Sequence, residues 1–133
     1  MKVRESNSRK FLDFLVDSQS LYQAIGWRFD LVSSLADWPN KAEFQKSIDR
    51  LLLVEPADFP NNRRSLLVCG ECGGLDCGAI SIVIEEQQNS FSWHSFGHER
   101  SWDDDIEMLE SPGPFVFDKA QYVQALQDAR SCF

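Results

Sequence analysis

At 133 residues, 43% apolar and 26% charged, the chain is long enough for one core and lies far from the low-hydrophobicity, high-charge compositions that stay unfolded. A formal net charge of −8 excludes the concentrated positive surface that phosphate contacts require, so nucleic acid is not an expected partner and a basic protein is the electrostatic complement. No window reaches the eighteen or so uninterrupted apolar residues of a membrane helix, and the opening MKVRESNSRK is not followed by a signal-type apolar stretch, so the expectation is a single cytoplasmic domain over residues 1–133 with no membrane partner.

The segment Lys10 to Val16 is dense in apolar and aromatic residues and reads as a strand, with one helical turn as the alternative. Asp17 and Ser18 then offer N-cap oxygens. Leu21, Tyr22 and Ile25 recur at helical spacing before Gly26, which predicts a short first helix ending there. Trp27 to Leu35 has no firm period. Asp37-Trp38-Pro39-Asn40 is punctuation, and a second helix is expected from about Pro39 through Val54, with Phe44, Ile48, Leu51 and Leu52 on one face and Pro56 forbidding continuation. Glu55 to Arg64 reads as a polar loop.

From Ser65 the pattern changes to three strands in series, SLLVC, AISIVIEE and FSWHSFG. The first two are joined by a glycine- and cysteine-rich loop and the last two by a hairpin connection at Gln87 to Ser90. Ile80, Ile82 and Ile84 share one face of the middle strand, with Ala79, Ser81 and Val83 opposite. A long acidic connection from His98 to Gly113 leads to a short strand at PFVF. Asp118 then caps a last helix containing Tyr122 and Leu126. The fold class expected is α+β: an antiparallel sheet centred on a meander at about residues 65–97, with additional short strands and helices packed on it.

The string Cys69-Gly70-Glu71-Cys72-Gly73-Gly74-Leu75-Asp76-Cys77-Gly78 is the most distinctive. A Cys-x-x-Cys-Gly turn aims two thiolates at one metal ion, because backbone amides stabilise the sulfurs while glycine permits positive φ. Pairing of the flanking strands would bring Cys77 opposite Cys69, and a hairpin turning at Gln87 to Ser90 would bring His98 to the same end as a fourth ligand, with the remote Cys132 as another candidate. Three readings stand side by side: a tight connection with free cysteines acting as small apolar residues, a zinc site, and a redox dithiol. The last lacks the helix whose amino end would lower a thiol pKa. His94 and His98 would lie on one face of the third strand, a geometry found in metal and general-base sites.

Between Glu99 and Glu110 stand six carboxylates, Glu99, Asp103, Asp104, Asp105, Glu107 and Glu110, against the single cation Arg100. Their order does not match a calcium loop, so the segment is either a solvated acidic loop or a docking patch for a basic partner. Trp102 within it is the kind of aromatic anchor that protein interfaces use. No nucleophile elbow, phosphate-binding loop or dinucleotide fingerprint is present, so an enzyme is not expected and no cofactor is implied beyond zinc.

The strings LLVCGECGGLDCGAISIVIEE, FSWHSFGHERSW and GPFVFDKAQYVQAL, with the preceding LLLVEPADFPNNR, resemble an uncharacterised family of small bacterial cytoplasmic proteins, some of which carry an oxidoreductase label. In size, acidity and lack of a catalytic set the chain also resembles, by type, the immunity proteins that neutralise toxin domains of contact-dependent growth inhibition systems. That likeness implies a tight cytoplasmic inhibitor of a basic, nuclease-type toxin domain, which would be steered by opposite charge and would cover the toxin's active site. The surface expected to do this is Glu99, Trp102, Asp103, Asp104, Asp105, Glu107 and Glu110. The rival expectations are a zinc-stabilised protein using Cys69, Cys72, Cys77 and His98, and a thiol-dependent oxidoreductase using the same loop.

Overall fold

The computed structural model describes residues 1–6 and 8–133. It is α+β, with helices packed on an antiparallel sheet. The sheet runs in the order β5 (Leu31–Ser33), β6 (Arg63–Cys69), β7 (Ala79–Glu86), β8 (Ser90–Glu99), β10 (Phe115–Asp118), and the short β9 (Glu107–Met108) also pairs with β8. The predicted meander is therefore the centre of the fold. Two ribbons precede it, β1 (Lys2–Ser6) with β2 (Arg9–Asp13) and β3 (Leu15–Val16) with β4 (Gln19–Ser20). Among the described residues no helix is long and apolar enough to cross a membrane.

The alternation read from the sequence is realised in β7. Ile80, Ile82 and Ile84 are buried in the main core with Phe44, Ile48 and Leu51 of α2 (Lys41–Leu51) and Tyr122, Leu126 and Ala129 of α3 (Lys119–Ala129). The Tyr122 hydroxyl donates to the Leu51 carbonyl at 2.6 Å and accepts from Trp93 Nε1 at 3.1 Å, so one phenol joins both helices to β8.

Several local expectations are corrected. Asp17 and Ser18 do not cap a helix. Both have positive φ and form the two-residue turn of the β3–β4 ribbon, a geometry that suits short polar side chains. The cap is Ser20, whose Oγ accepts from Gln23 N at 3.0 Å. Gly26 does not end the first helix either. A π-helical turn at Tyr22–Gly26 passes directly into α1 (Trp27–Phe29), which closes at Asp30 with φ 58°. The second helix begins at Lys41, two residues beyond Pro39, because Asn40 is its cap, accepting from Ala42 N at 2.9 Å. It ends at Leu51, short of Val54. Buried Asp13 organises the front of the chain, accepting from Arg4 Nε (2.5 Å), Ser20 Oγ (2.5 Å) and Tyr22 N (3.1 Å).

Two corrections bear on function. His94 and His98 do not share a face. Ser95 takes φ 57°, and β8 places two residues opposite Ile82, so the alternation inverts between the histidines. His94 pairs opposite Val83 and His98 opposite Ile80, which puts them on opposite sides of the sheet. Glu99, expected on the docking surface, is only 4% exposed. Its Oε2 takes Arg63 Nε at 3.0 Å and the Ser81 hydroxyl, while Arg63 Nη2 also donates to the carbonyls of Ser81 (3.0 Å) and Ser95. A carboxylate buried against its own guanidinium and a serine hydroxyl is not free to face a partner. Truncating it would leave a buried guanidinium without its counter-charge. Glu99→Ala should therefore cost about 3–5 kcal/mol in urea unfolding, and Arg63→Met with Glu99→Leu should recover most of that loss. A single-variant cost below about 1 kcal/mol would contradict the buried pairing.

Candidate functional site

Cys69 is the last residue of β6, where it pairs with Leu31, and the chain then turns sharply. Gly73 N donates to the Cys69 carbonyl at 2.8 Å and Gly74 N to Cys72 Sγ at 3.2 Å. Gly73 adopts φ +70°, and a Cβ there would meet the Trp38 ring at 3.2 Å, so glycine is what lets the turn lie against the indole. A single 3₁₀ turn, Leu75–Cys77, returns Cys77 beneath the first two cysteines. The three sulfurs lie within 4.8 Å of one another, with Cys72 Sγ and Cys77 Sγ 3.7 Å apart. Sulfurs bound at about 2.3 Å around a tetrahedral zinc are separated by about 3.8 Å, so the spacing suits a metal.

The electrostatics of the trio are graded. Burial pushes the Cys69 thiol up, but the backbone amides of Cys72 and Glu71 and the neighbouring thiols of Cys72 and Cys77 outweigh it and hold Cys69 below the ordinary thiol value. Cys77 is pushed up to about 11 by hydrogen bonding with Cys72 and Cys69 and by their negative charge. Cys69 thus gives up its proton before Cys77, as expected where thiols crowd together without a cation to neutralise them. No α-helix follows Cys72, and the segment beyond it is the 3₁₀ turn and then β7.

Of the other predicted ligands, Cys132 lies exposed beyond α3, outside the trio. His98 comes to the same end of the sheet but is not one of the clustered donors. Its ring stacks on Phe29 with centroids 4.6 Å apart, and a Cβ at Gly78 would meet its Nε2 at 2.9 Å. Burial, reinforced by nearby Arg100 against the opposing pull of Glu107, lowers its pKa below the usual 6.5.

The acidic segment begins on the cysteine loop itself. Ser101 N donates to the Leu75 carbonyl at 3.2 Å, Ser101 Oγ to the Asp76 carboxylate, and Trp102 Nε1 to the Asp76 carbonyl at 3.0 Å. The indole is otherwise 67% exposed, with Arg100 5.8 Å from its ring. Asp104, Asp105, Glu107 and Glu110 are exposed and Asp103 half-buried, its Oδ1 accepting from Asp105 N at 3.0 Å. Among the described residues none of these five carboxylates is in an ion pair. The structure thus brings together the thiols and the base of the acidic segment, which the sequence reading treated separately. Asp76, the residue that joins them, carried no signal of its own beside three cysteines. No protein-family model, curated protein or solved structure matches the chain.

Because the folded state disfavours protonated His98, the unfolded chain takes up a proton there first. Stability should fall as pH drops below about 6.5 and continue to fall until the lowered folded pKa is passed. His98→Phe keeps the stack on Phe29 and should lose this component. Urea unfolding of the two proteins at about pH 7.5 and 5.5 checks it, and identical pH dependence in both would refute the assignment.

Proposed function

We propose that the chain is a binding protein that docks a basic partner through Trp102, Asp103, Asp104, Asp105, Glu107 and Glu110. The observation that carries this reading is the exposed Trp102 indole, anchored by its N–H to Asp76 and bordered by carboxylates without cationic partners. An aromatic anchor rimmed by uncompensated charge suits a surface that steers an oppositely charged protein and then desolvates against it. The partner most in keeping with the likeness of type to immunity proteins is a cationic, nuclease-type toxin domain whose active site the segment would cover. Glu99 takes no part in this surface, its charge being spent on Arg63.

The decisive experiment pairs the chain with a basic toxin domain encoded beside its own gene. The chain should restore growth. Asp104→Lys with Asp105→Lys should slow association at low salt by roughly tenfold or more, with the difference shrinking at high salt. Trp102→Ala should mainly speed dissociation. Growth rescue with unchanged rates in both variants would exclude this surface.

A second reading, zinc held by Cys69, Cys72 and Cys77, is favoured by the mutual approach of their sulfurs. These residues would bind the metal as thiolates and stiffen the turn carrying Asp76, and the metal would supply the positive charge that three adjacent thiolates otherwise lack. Protein purified without chelator should contain about one zinc per chain, Cys72→Ser should reduce the content several-fold, and loading should weaken as pH falls because the thiols must deprotonate. Zinc below about a tenth of an equivalent at neutral pH would remove this reading.

A further inference from the structure

Beneath the cysteine loop lies a partly open cavity of about 470 Å³, bounded by α2, by the Ser34–Asn40 connection and by β6. Glu43, Ser47 and Arg50 face it from one side of α2, adjacent to the stripe of Phe44, Ile48 and Leu51 that enters the core. Trp38, Val68 and Leu75 supply apolar wall. The volume falls in the range of small-molecule sites, about 300–1,000 Å³, and the mixture of apolar wall with few polar groups is what such sites use.

The polar groups here are incompletely satisfied. Asp58 accepts from Ser65 N (2.9 Å) and Ser65 Oγ (2.5 Å), but Arg50 Nε stands 3.9 Å from it, an ion pair too long for a hydrogen bond. The Arg50 side chain is about four-fifths buried and makes no hydrogen bond among the described residues, leaving its planar fork of donors unspent. Ser34, 4% exposed, lines the cavity, and its hydroxyl has no partner. Behind the wall Arg64, whose buried Nε is also unpartnered, feels the charge of the same Asp58. On a chain of net charge −8, the cavity wall thus carries a guanidinium, Arg50, whose ion pair with Asp58 is long. The other acid on the wall, Glu43, is exposed to solvent.

We propose that this cavity binds a small organic carboxylate with a flat or branched apolar body. The carboxylate takes the Arg50 fork and the Ser34 hydroxyl, and the body lies against Trp38, Val68 and Leu75. A carboxylate matches a planar guanidinium with two parallel hydrogen bonds, and the apolar wall selects an organic acid over inorganic phosphate.

The test uses the full chain, with benzoate, phenylacetate and isovalerate as probes and phosphate, benzyl alcohol and benzylamine as controls. Binding is read by amide and indole NMR shifts and by calorimetry. At least one carboxylate should shift Ser34, the Trp38 indole and the α2 amides. Arg50→Gln should weaken it by about tenfold or more and Ser34→Ala by a smaller factor, both variants keeping wild-type spectral dispersion. Because Cys72 also lines the cavity, each titration is repeated with chelator, and binding should survive it. Four outcomes would overturn the proposal: no carboxylate shift at millimolar concentration, equal binding of benzyl alcohol or benzylamine, tighter binding of phosphate, or binding that ignores Arg50→Gln and Ser34→Ala. Loss of binding on chelation would place the carboxylate on a metal and overturn it too.

Discussion

Arg63 and Glu99, buried side by side on the face of the sheet opposite the isoleucine core, constrain everything around them. Two charges removed from water are tolerable only when paired and surrounded by further hydrogen bonds. Ser81 and the carbonyls of Ser81 and Ser95 complete that set, so β6, β7 and β8 are cross-linked through Ser81. The pair must also be kept dry. The chain leaving Glu99 folds back so that Ile106 and Met108 cover Gly97 and Arg63, where even a Cβ would meet Ile106 at 2.7 Å. Trp102 to Asp105 is the crest of a segment whose two ends are held down.

That arrangement makes the cysteine loop and the acidic crest parts of one structure. Asp76 sits between Leu75 and Cys77 in the 3₁₀ turn and receives both Ser101 and Trp102. Anything that stiffens the turn, a metal ion on the three thiols included, would hold the indole in place and lower the ordering cost of the proposed docking. The charge distribution has the same economy. Carboxylates without cationic partners lie outward on the crest, whereas the guanidiniums of Arg63 and Arg64 are buried and that of Arg50 largely so.

Position in the sequence predicted some of this and misled in places. The central strands were legible because the alternation at Ile80, Ile82 and Ile84 can satisfy only one sheet face. The α2 stripe was legible because Phe44, Ile48 and Leu51 recur at helical spacing. Asp17 and Ser18 misled because short polar side chains serve equally as caps and as left-handed turn residues, and only pairing of β3 with β4 decides between them. His94 and His98 misled because one residue at positive φ reverses strand alternation without any signature in the neighbouring side chains.

The sequence by itself determined the α+β class, the central meander, the cysteine knuckle and an acidic stretch around Trp102, since each follows from periodicity or from spacing within about ten residues. Only the tertiary structure decided that Glu99 belongs to the interior, that His98 stands apart from the thiols against Phe29, and that Arg50 and Ser34 share a cavity. These are contacts between residues far apart along the chain. Their partners are chosen by which elements pack together, and a local pattern carries no record of that choice.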